Sequence, residues 1–183
     1  MRLLLLLMLF GQPGVWAQGG DLPPAEALQP GGMAPPVGMP QPGGMPPPAE
    51  VLPSIRFERI GGGVLTNADL PKGKLLLFVF VDPDCDHCQR AVARMDAEYE
   101  SFGKAALYFV SAADPAKIVA FAKKYGPRLK GVWARDRDSQ NIVRFRPVRY
   151  PALFLYSMDK KLLDYEDNEE TIFRVVRSIG RNG

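Results

Sequence analysis

The stretch "KLLLFVFVDPDCDHCQRAVARM", residues 74 to 95, constrains the fold more than any other part of this 183-residue chain. Leu75 to Val81 is an unbroken apolar run between Lys74 and Asp82. It is too short for a buried helix and rich in β-formers, so it reads as a central strand covered on both faces. The chain then turns at Pro83 and enters a helix, in which Val92, Met95, Tyr99 and Phe102 recur at spacings of three and four until Gly103 ends it. A strand that runs at once into a helix must return on one side of its own sheet.

The pattern repeats. "ALYFVS", Ala106 to Ser111, reads as a second buried strand, and "DPAKIVAFAKKYG" as a helix with Asp114 as N-cap, Pro115 in the first turn and Gly126 past the end. Strand, helix, strand, helix predicts a parallel α/β core. Further on, "GVWA" reads as a strand and "DSQNIVRF" as a short helix capped by Asp138. "PALFLYS" and "KLLDYE" flank "MDK" as an antiparallel hairpin. A last helix is expected from about Asn168, with Glu169 and Glu170 in its first turn and Ile172, Val175, Val176 and Ile179 facing inward. "IRFERI" adds one edge strand at the front. The expected fold is α/β, a mixed central sheet of about five or six strands with helices on both faces.

The two ends differ in kind from this domain. Residues 1 to 17 read as an export signal: Arg2, an apolar run from Leu3 to Phe10, helix-breaking Gly11, Pro13 and Gly14, and small Ala17 at the cleavage position. That run falls far short of the ~20 residues a spanning helix needs, so the mature chain is expected to be soluble, without a stable membrane span. Residues 18 to 53 are half Gly or Pro, 18 of 36, and read as a disordered, partly polyproline spacer. Residues 54 to 183 form one domain with one core. Removing Arg2 (+1) and the spacer's Asp21, Glu26 and Glu50 (−3) from a chain charge of +3 leaves +5 on it. This modest, scattered excess fits solubility or an acidic partner surface and lacks the dense basic stripe that nucleic acid demands.

All the thiols and the one imidazole of the chain lie in four consecutive positions, Cys85, Asp86, His87 and Cys88. A redox site, a metal site and a structural staple could each use them. A staple closing so short a loop removes little entropy from the unfolded chain, and export favours disulfide chemistry. Thiolate is the reactive form, and a helix N-terminus favours an anion there; Cys85 occupies that point, with Cys88 one turn in. Protonated His87 would favour the Cys85 thiolate, while Asp82, Asp84 and Asp86 oppose it by like-charge repulsion. Arg144, Arg146 and Arg149 could offset those aspartates or grip an acidic partner.

A buried strand leading into C-x-x-C at a helix start, followed by a hairpin whose first strand opens with proline, resembles the thioredoxin superfamily. The export signal, "FERIGGGVLTNADLPKGK" and "ARDRDSQNIVRF" are similar to the periplasmic TlpA/ResA-like thiol-disulfide oxidoreductases. The resemblance implies a thioredoxin-like fold and makes Cys85 the attacking thiol, Cys88 the resolving thiol and Tyr150-Pro151 a cis-proline beside them. It implies a redox disulfide Cys85-Cys88, with no cofactor and no metal. The implied partners are disulfide-bearing exported proteins and a membrane or periplasmic thiol donor, in a periplasmic or secreted setting. The chain departs from the pattern at Asp84, where an aromatic residue is usual, and at Val79, where thioredoxins keep a buried acid. Two other functions stand beside this one. A copper-handling protein would use Cys85, Cys88, His87 and the spacer's Met33, Met39 and Met45. A peroxidase of the same superfamily is disfavoured because "FVDPDC" has no Thr or Ser ahead of the cysteine.

Overall fold

The computed structural model describes residues 46 to 183. The expected signal peptide and the spacer up to Met45 lie outside the described residues. Seven strands form one sheet: β1 (Arg56–Arg59), β2 (Val64–Thr66), β3 (Leu75–Phe80), β4 (Ala105–Ser111), β5 (Gly131–Arg135), β6 (Ala152–Tyr156) and β7 (Leu162–Glu166). Their order is β2-β1-β5-β4-β3-β6-β7. The helices are α1 (Asp86–Ala97), α2 (Pro115–Tyr125), α3 (Gln140–Phe145) and α4 (Ile172–Asn182). β3, β4 and β5 run parallel; β6 and β7 add antiparallel on one side and the β1–β2 hairpin on the other.

Every residue of β3 is buried, and its pleat sends alternate side chains into two cores. Leu75, Leu77, Val79 and Val81 pack with Val92 and Met95 of α1, Phe121 of α2 and Val175 and Ile179 of α4. Leu76, Phe78 and Phe80 pack with Phe57, Phe145, Phe154 and Tyr156 on the opposite face, which α3 covers together with Leu52 and Ile55 from the segment before β1. Fully burying each such side chain stabilises by about 1.5–3 kcal/mol before entropy is counted. This is the mixed sheet with helices on both faces that the sequence predicts.

Five local expectations need correction. α1 stops at Ala97, and Tyr99 and Phe102 fall in a separate 3-10 turn, so the first helix is shorter than the expected run to Gly103. The front contributes two strands, giving seven in all, because Gly61, Gly62 and Gly63 adopt φ of +104°, +109° and +88° and turn the chain back on itself. Asp136, not Asp138, caps α3: its buried carboxylate accepts from the amides of Asn141 (3.1 Å) and Ile142 (2.9 Å). α4 begins at Ile172, because the Asn168 side chain captures the Glu170 amide at 2.9 Å and holds Asn168 to Thr171 as a turn. Finally, packing starts ahead of Ser54: Ala49 and Leu52 are buried, and Leu52 N–H donates to the Lys160 carbonyl at 2.9 Å. The Tyr156 hydroxyl donates to the Ala49 carbonyl at 3.0 Å. Non-proline residues in the end of the proline-rich stretch therefore supply the groups that dock it.

Candidate active site

β3 ends at Phe80, and the loop Val81 to Asp84 carries the chain to α1, with Cys85 as its N-cap in extended conformation (φ −95°, ψ 118°). Two bonds set this turn: Cys85 N–H donates to the Asp82 carbonyl (3.1 Å), and the Cys85 carbonyl accepts the Gln89 amide (3.0 Å). Cys85 is half-buried and Cys88, one turn on, is fully buried; both are free thiols. The Asp82 amide points at the Cys88 sulfur, 3.4 Å away. Burial pushes the Cys88 thiol up; the Asp82 amide works against that, and a hydrogen bond with Cys85 adds to the rise. One sulfur is therefore presented and the other is held back as a thiol.

Tyr150-Pro151 is cis, and Pro151 is buried at the start of β6, the strand paired with β3 through Phe80 and Ala152. Tyr150 stands between two depressions. One, of about 340 Å³, is lined by Asp82, Asp84, Ser111, Asp114 and Lys117 among others. The second, of about 190 Å³, is lined by His87, Arg149, Asp167, Asn168 and Glu169. Burial, and after it the Asp82 charge, pushes the Tyr150 phenol up to about 12, so it stays a neutral donor at neutral pH.

The charged neighbours fall into pairs. Asp84 meets Lys117 of α2 at 2.6 Å, so one of the three aspartates ahead of the thiol is offset by a cation. On the other flank His87 Nδ1 lies 2.7 Å from Glu169 Oε1, and Arg90 Nη2 lies 2.9 Å from the same carboxylate oxygen. Partial burial opposes ionisation of Glu169, yet hydrogen bonds from Arg90 and His87 outweigh it and hold the acid at about 2. Arg149 pairs with Asp167 (3.1 Å) and Arg144 donates to the Ser54 carbonyl (3.0 Å). Neither meets Asp82, Asp84 or Asp86. Val79 is buried beside Cys88 in the core, and no carboxylate takes the place of the missing acid on that strand.

The structure thus gathers Cys85, Cys88, His87, Asp84, Asp86, Tyr150 and Pro151 at one end of β3. Glu169, Arg90 and Lys117 escaped the sequence reading. Arg90 had a signal, since it lies three residues after His87 on the same helix face. In the sequence Glu169 reads as a first-turn acid of the last helix, and Lys117, 33 positions from Asp84, carries no signal. Among the described residues, no group of three or more His, Cys, Asp or Glu side chains could hold a metal ion, and Met33, Met39 and Met45 lie outside them. No described helix is long and apolar enough to cross a membrane.

The AhpC/TSA family model matches residues 48 to 164, well over half of the chain. The chain belongs to the AhpC/TSA family. This family lies within the thioredoxin superfamily expected from the sequence. The fold is thioredoxin-like. The thioredoxin domain of a thiol-disulfide oxidoreductase from Bacteroides vulgatus is 17% identical, with 72% of this chain and 96% of that one covered at a TM-score of 0.61. A secreted Mycobacterium tuberculosis disulfide oxidoreductase homologous to E. coli DsbE is 18% identical, with 69% and 95% covered at 0.57. Peroxidoxin BcpB from Mycobacterium tuberculosis is 13% identical, with 73% and 96% covered at 0.63. No curated protein sequence matches.

Proposed function

We propose that this AhpC/TSA-family chain is an exported thiol-disulfide oxidoreductase in which Cys85 attacks and Cys88 resolves. The observation that carries the reading is the asymmetry of the two thiols: Cys85 is half-exposed at the helix N-cap, and Cys88 is buried one turn away. The Cys85 thiolate attacks one sulfur of a partner's disulfide; that S–S bond breaks, and the partner's other sulfur leaves as a thiolate that takes a proton from water. A mixed disulfide results. Cys88, giving up its proton, then attacks the Cys85 sulfur, expels the partner's second thiolate and leaves a Cys85–Cys88 disulfide. Two electrons have passed from the dithiol to the partner, and an external thiol donor restores the dithiol by the reverse exchange.

The burial that holds the proton on Cys88 keeps it idle until the mixed disulfide brings an electrophilic sulfur beside it. The two depressions either side of Tyr150 offer room for the chain that flanks a partner's disulfide. Support for export comes from the leader-type residues 1 to 17 and from the secreted protein that shares the fold. The test is reduction of a protein disulfide such as that of insulin by wild type and by Cys85→Ser. Activity confined to the wild type is expected; a wild type that leaves the disulfide intact overturns the reading.

A second reading, a peroxidase, is favoured by the family match and by the fold shared with BcpB. Here Cys85 would attack a peroxide oxygen, the O–O bond would break to give a sulfenic acid and water, and Cys88 would condense with it and release a second water. The Asp82-Pro83-Asp84 run ahead of Cys85 supplies no hydroxyl for the peroxide. Stopped-flow consumption of hydrogen peroxide by the reduced protein separates the two: slow consumption supports exchange, and rapid consumption supports the peroxidase.

A further inference from the structure

His87 Nδ1 faces two groups that make opposite demands on it. Glu169 Oε1 lies 2.7 Å away and is acceptor-only when ionised; Arg90 Nη2 lies 2.9 Å away and can only donate. A single ring nitrogen cannot satisfy both. Facing Glu169 it must carry a proton, and facing Arg90 it must present a lone pair. Glu169 already receives Arg90 directly, from Nη2 at 2.9 Å and Nε at 3.3 Å, so the arginine has a better acceptor than the imidazole. The Nδ1–H to Glu169 bond is therefore the arrangement in which every donor has an acceptor.

We infer that Glu169 is a positioning residue for His87: it keeps the proton on Nδ1 and leaves Nε2 of the neutral ring as an acceptor on the same helical turn that carries Cys85 and Cys88. The inference rests on the exchange reading for its consequence, since an acceptor there matters only if a thiol or a leaving thiolate is handled nearby. The glutamate is built for this task. Its side chain is only 15% exposed against 60% for His87, so the fixed partner is the carboxylate and the ring is the part open to a substrate. Its main chain is held independently, because Arg94 Nη1 donates to the Glu169 carbonyl at 2.9 Å and Asn168 holds the next amide. A carboxylate that fixes an imidazole's tautomer through Nδ1 leaves the far nitrogen ready for proton exchange. The other charges in this quarter are Asp86, Arg90 and Arg94 on α1, Asp167 and Glu170 ahead of α4, and Arg149 on the cis-proline loop, where Tyr150 is neutral. Asp167 and Arg149 pair with each other, which leaves Glu169 as the carboxylate bonded to the ring.

His87 is the one histidine of the chain, so ¹⁵N NMR of the imidazole reads this site without assignment ambiguity. On full-length protein with the leader removed, at a pH where the ring is neutral, the wild type is expected to show a protonated Nδ1 and a bare Nε2. Glu169→Met, which keeps the main-chain anchors and removes the acceptor, should move the proton to Nε2 with Arg90 then donating to Nδ1. Arg90→Met should leave it on Nδ1. In parallel, circular dichroism should show that Glu169→Met stays folded, so that a change of tautomer is read in an intact site. A wild-type ring protonated at Nε2, or a tautomer unchanged by Glu169→Met, overturns the inference even if disulfide exchange proceeds. An Nδ1–H ring in a protein that exchanges no disulfides would uphold the tautomer and defeat the exchange reading instead.

Discussion

Along β3, Val79 faces the core that holds Cys88, whereas Phe78 and Phe80, its neighbours in the chain, face a layer of aromatic rings with no thiol in it. Behind the strand Phe78 stacks on Tyr108 with centroids 4.8 Å apart, Phe80 meets Phe145 edge-on at 4.8 Å, and Phe145 lies 5.3 Å from Phe154. In front, at the end of the same strand, sit Cys85, three aspartates of which Asp84 is paired with Lys117, and His87 and Arg90 against Glu169. Aromatic pairs contribute about 0.5–1.5 kcal/mol each beyond their buried area, while exposed ion pairs contribute about 0–1 kcal/mol. The rear face therefore supplies stability and the front rim holds the proposed chemistry, and substitutions in the two should separate.

Phe78→Ala makes the hardest test of that separation. It should destabilise the fold by about 3–5 kcal/mol, read from the denaturant midpoint, and leave the alkylation rate of Cys85 in the folded protein unchanged. A changed thiol rate in the folded variant would show the two regions to be coupled. Asn141→Ala comes next. Its side chain accepts from Arg56 N–H (2.9 Å) and donates to the Arg56 carbonyl (2.9 Å), tying α3 to β1, and losing it should cost about 1–3 kcal/mol without altering exchange.

The start of the domain provides a third test. A chain beginning at Pro46 should match the longer protein in stability and exchange. One beginning at Ser54 loses the buried Ala49 and Leu52, and its unfolding midpoint should fall while its exchange persists. Equal stability of the two chains would mean that the docked segment contributes nothing.

Two smaller effects probe the rim. Lys117→Met leaves Asp84 without its cation beside Cys85, which disfavours the thiolate and so the reduced dithiol. The reduction potential should fall by about 10 mV, the size expected of an exposed pair, measured against glutathione. Glu169 has a folded-state value of about 2, below its ordinary 4.5, so its contribution to stability is present above pH 4.5 and is lost as pH falls toward 2. Thermal unfolding of wild type should show that acid loss, and Glu169→Gln should flatten it.

What the sequence revealed follows the same division. The apolar run Leu75 to Val81 and the proline before "ALFLY" are strong local patterns that became the expected elements, and the periodic helix between them starts where expected but stops at Ala97, short of Gly103. The cysteines lay inside that pattern, so the presented and the shielded thiol could be told apart by counting one helical turn. The partners of the charged residues were hidden because sheet topology alone brings residues 79 and 82 positions apart together, as for Arg90 and His87 with Glu169. Asp136 was hidden by a nearer rival, Asp138, and Ala49 and Leu52 by the prolines around them. In each case the side chain's role was decided by a long-range contact that leaves no periodic trace.

The division of labour between Cys85 and Cys88 is the claim on which the functional account stands. Each single serine variant, reduced and then mixed with a large excess of an aromatic disulfide at neutral pH, can be followed by mass spectrometry over the first seconds. Cys88→Ser should accumulate a stable mixed disulfide on Cys85 rapidly, and Cys85→Ser, left with a buried thiol held in its protonated form, should remain almost unmodified while folded. Fast modification of Cys88 in the folded Cys85→Ser protein, with Cys85 inert in Cys88→Ser, would contradict it.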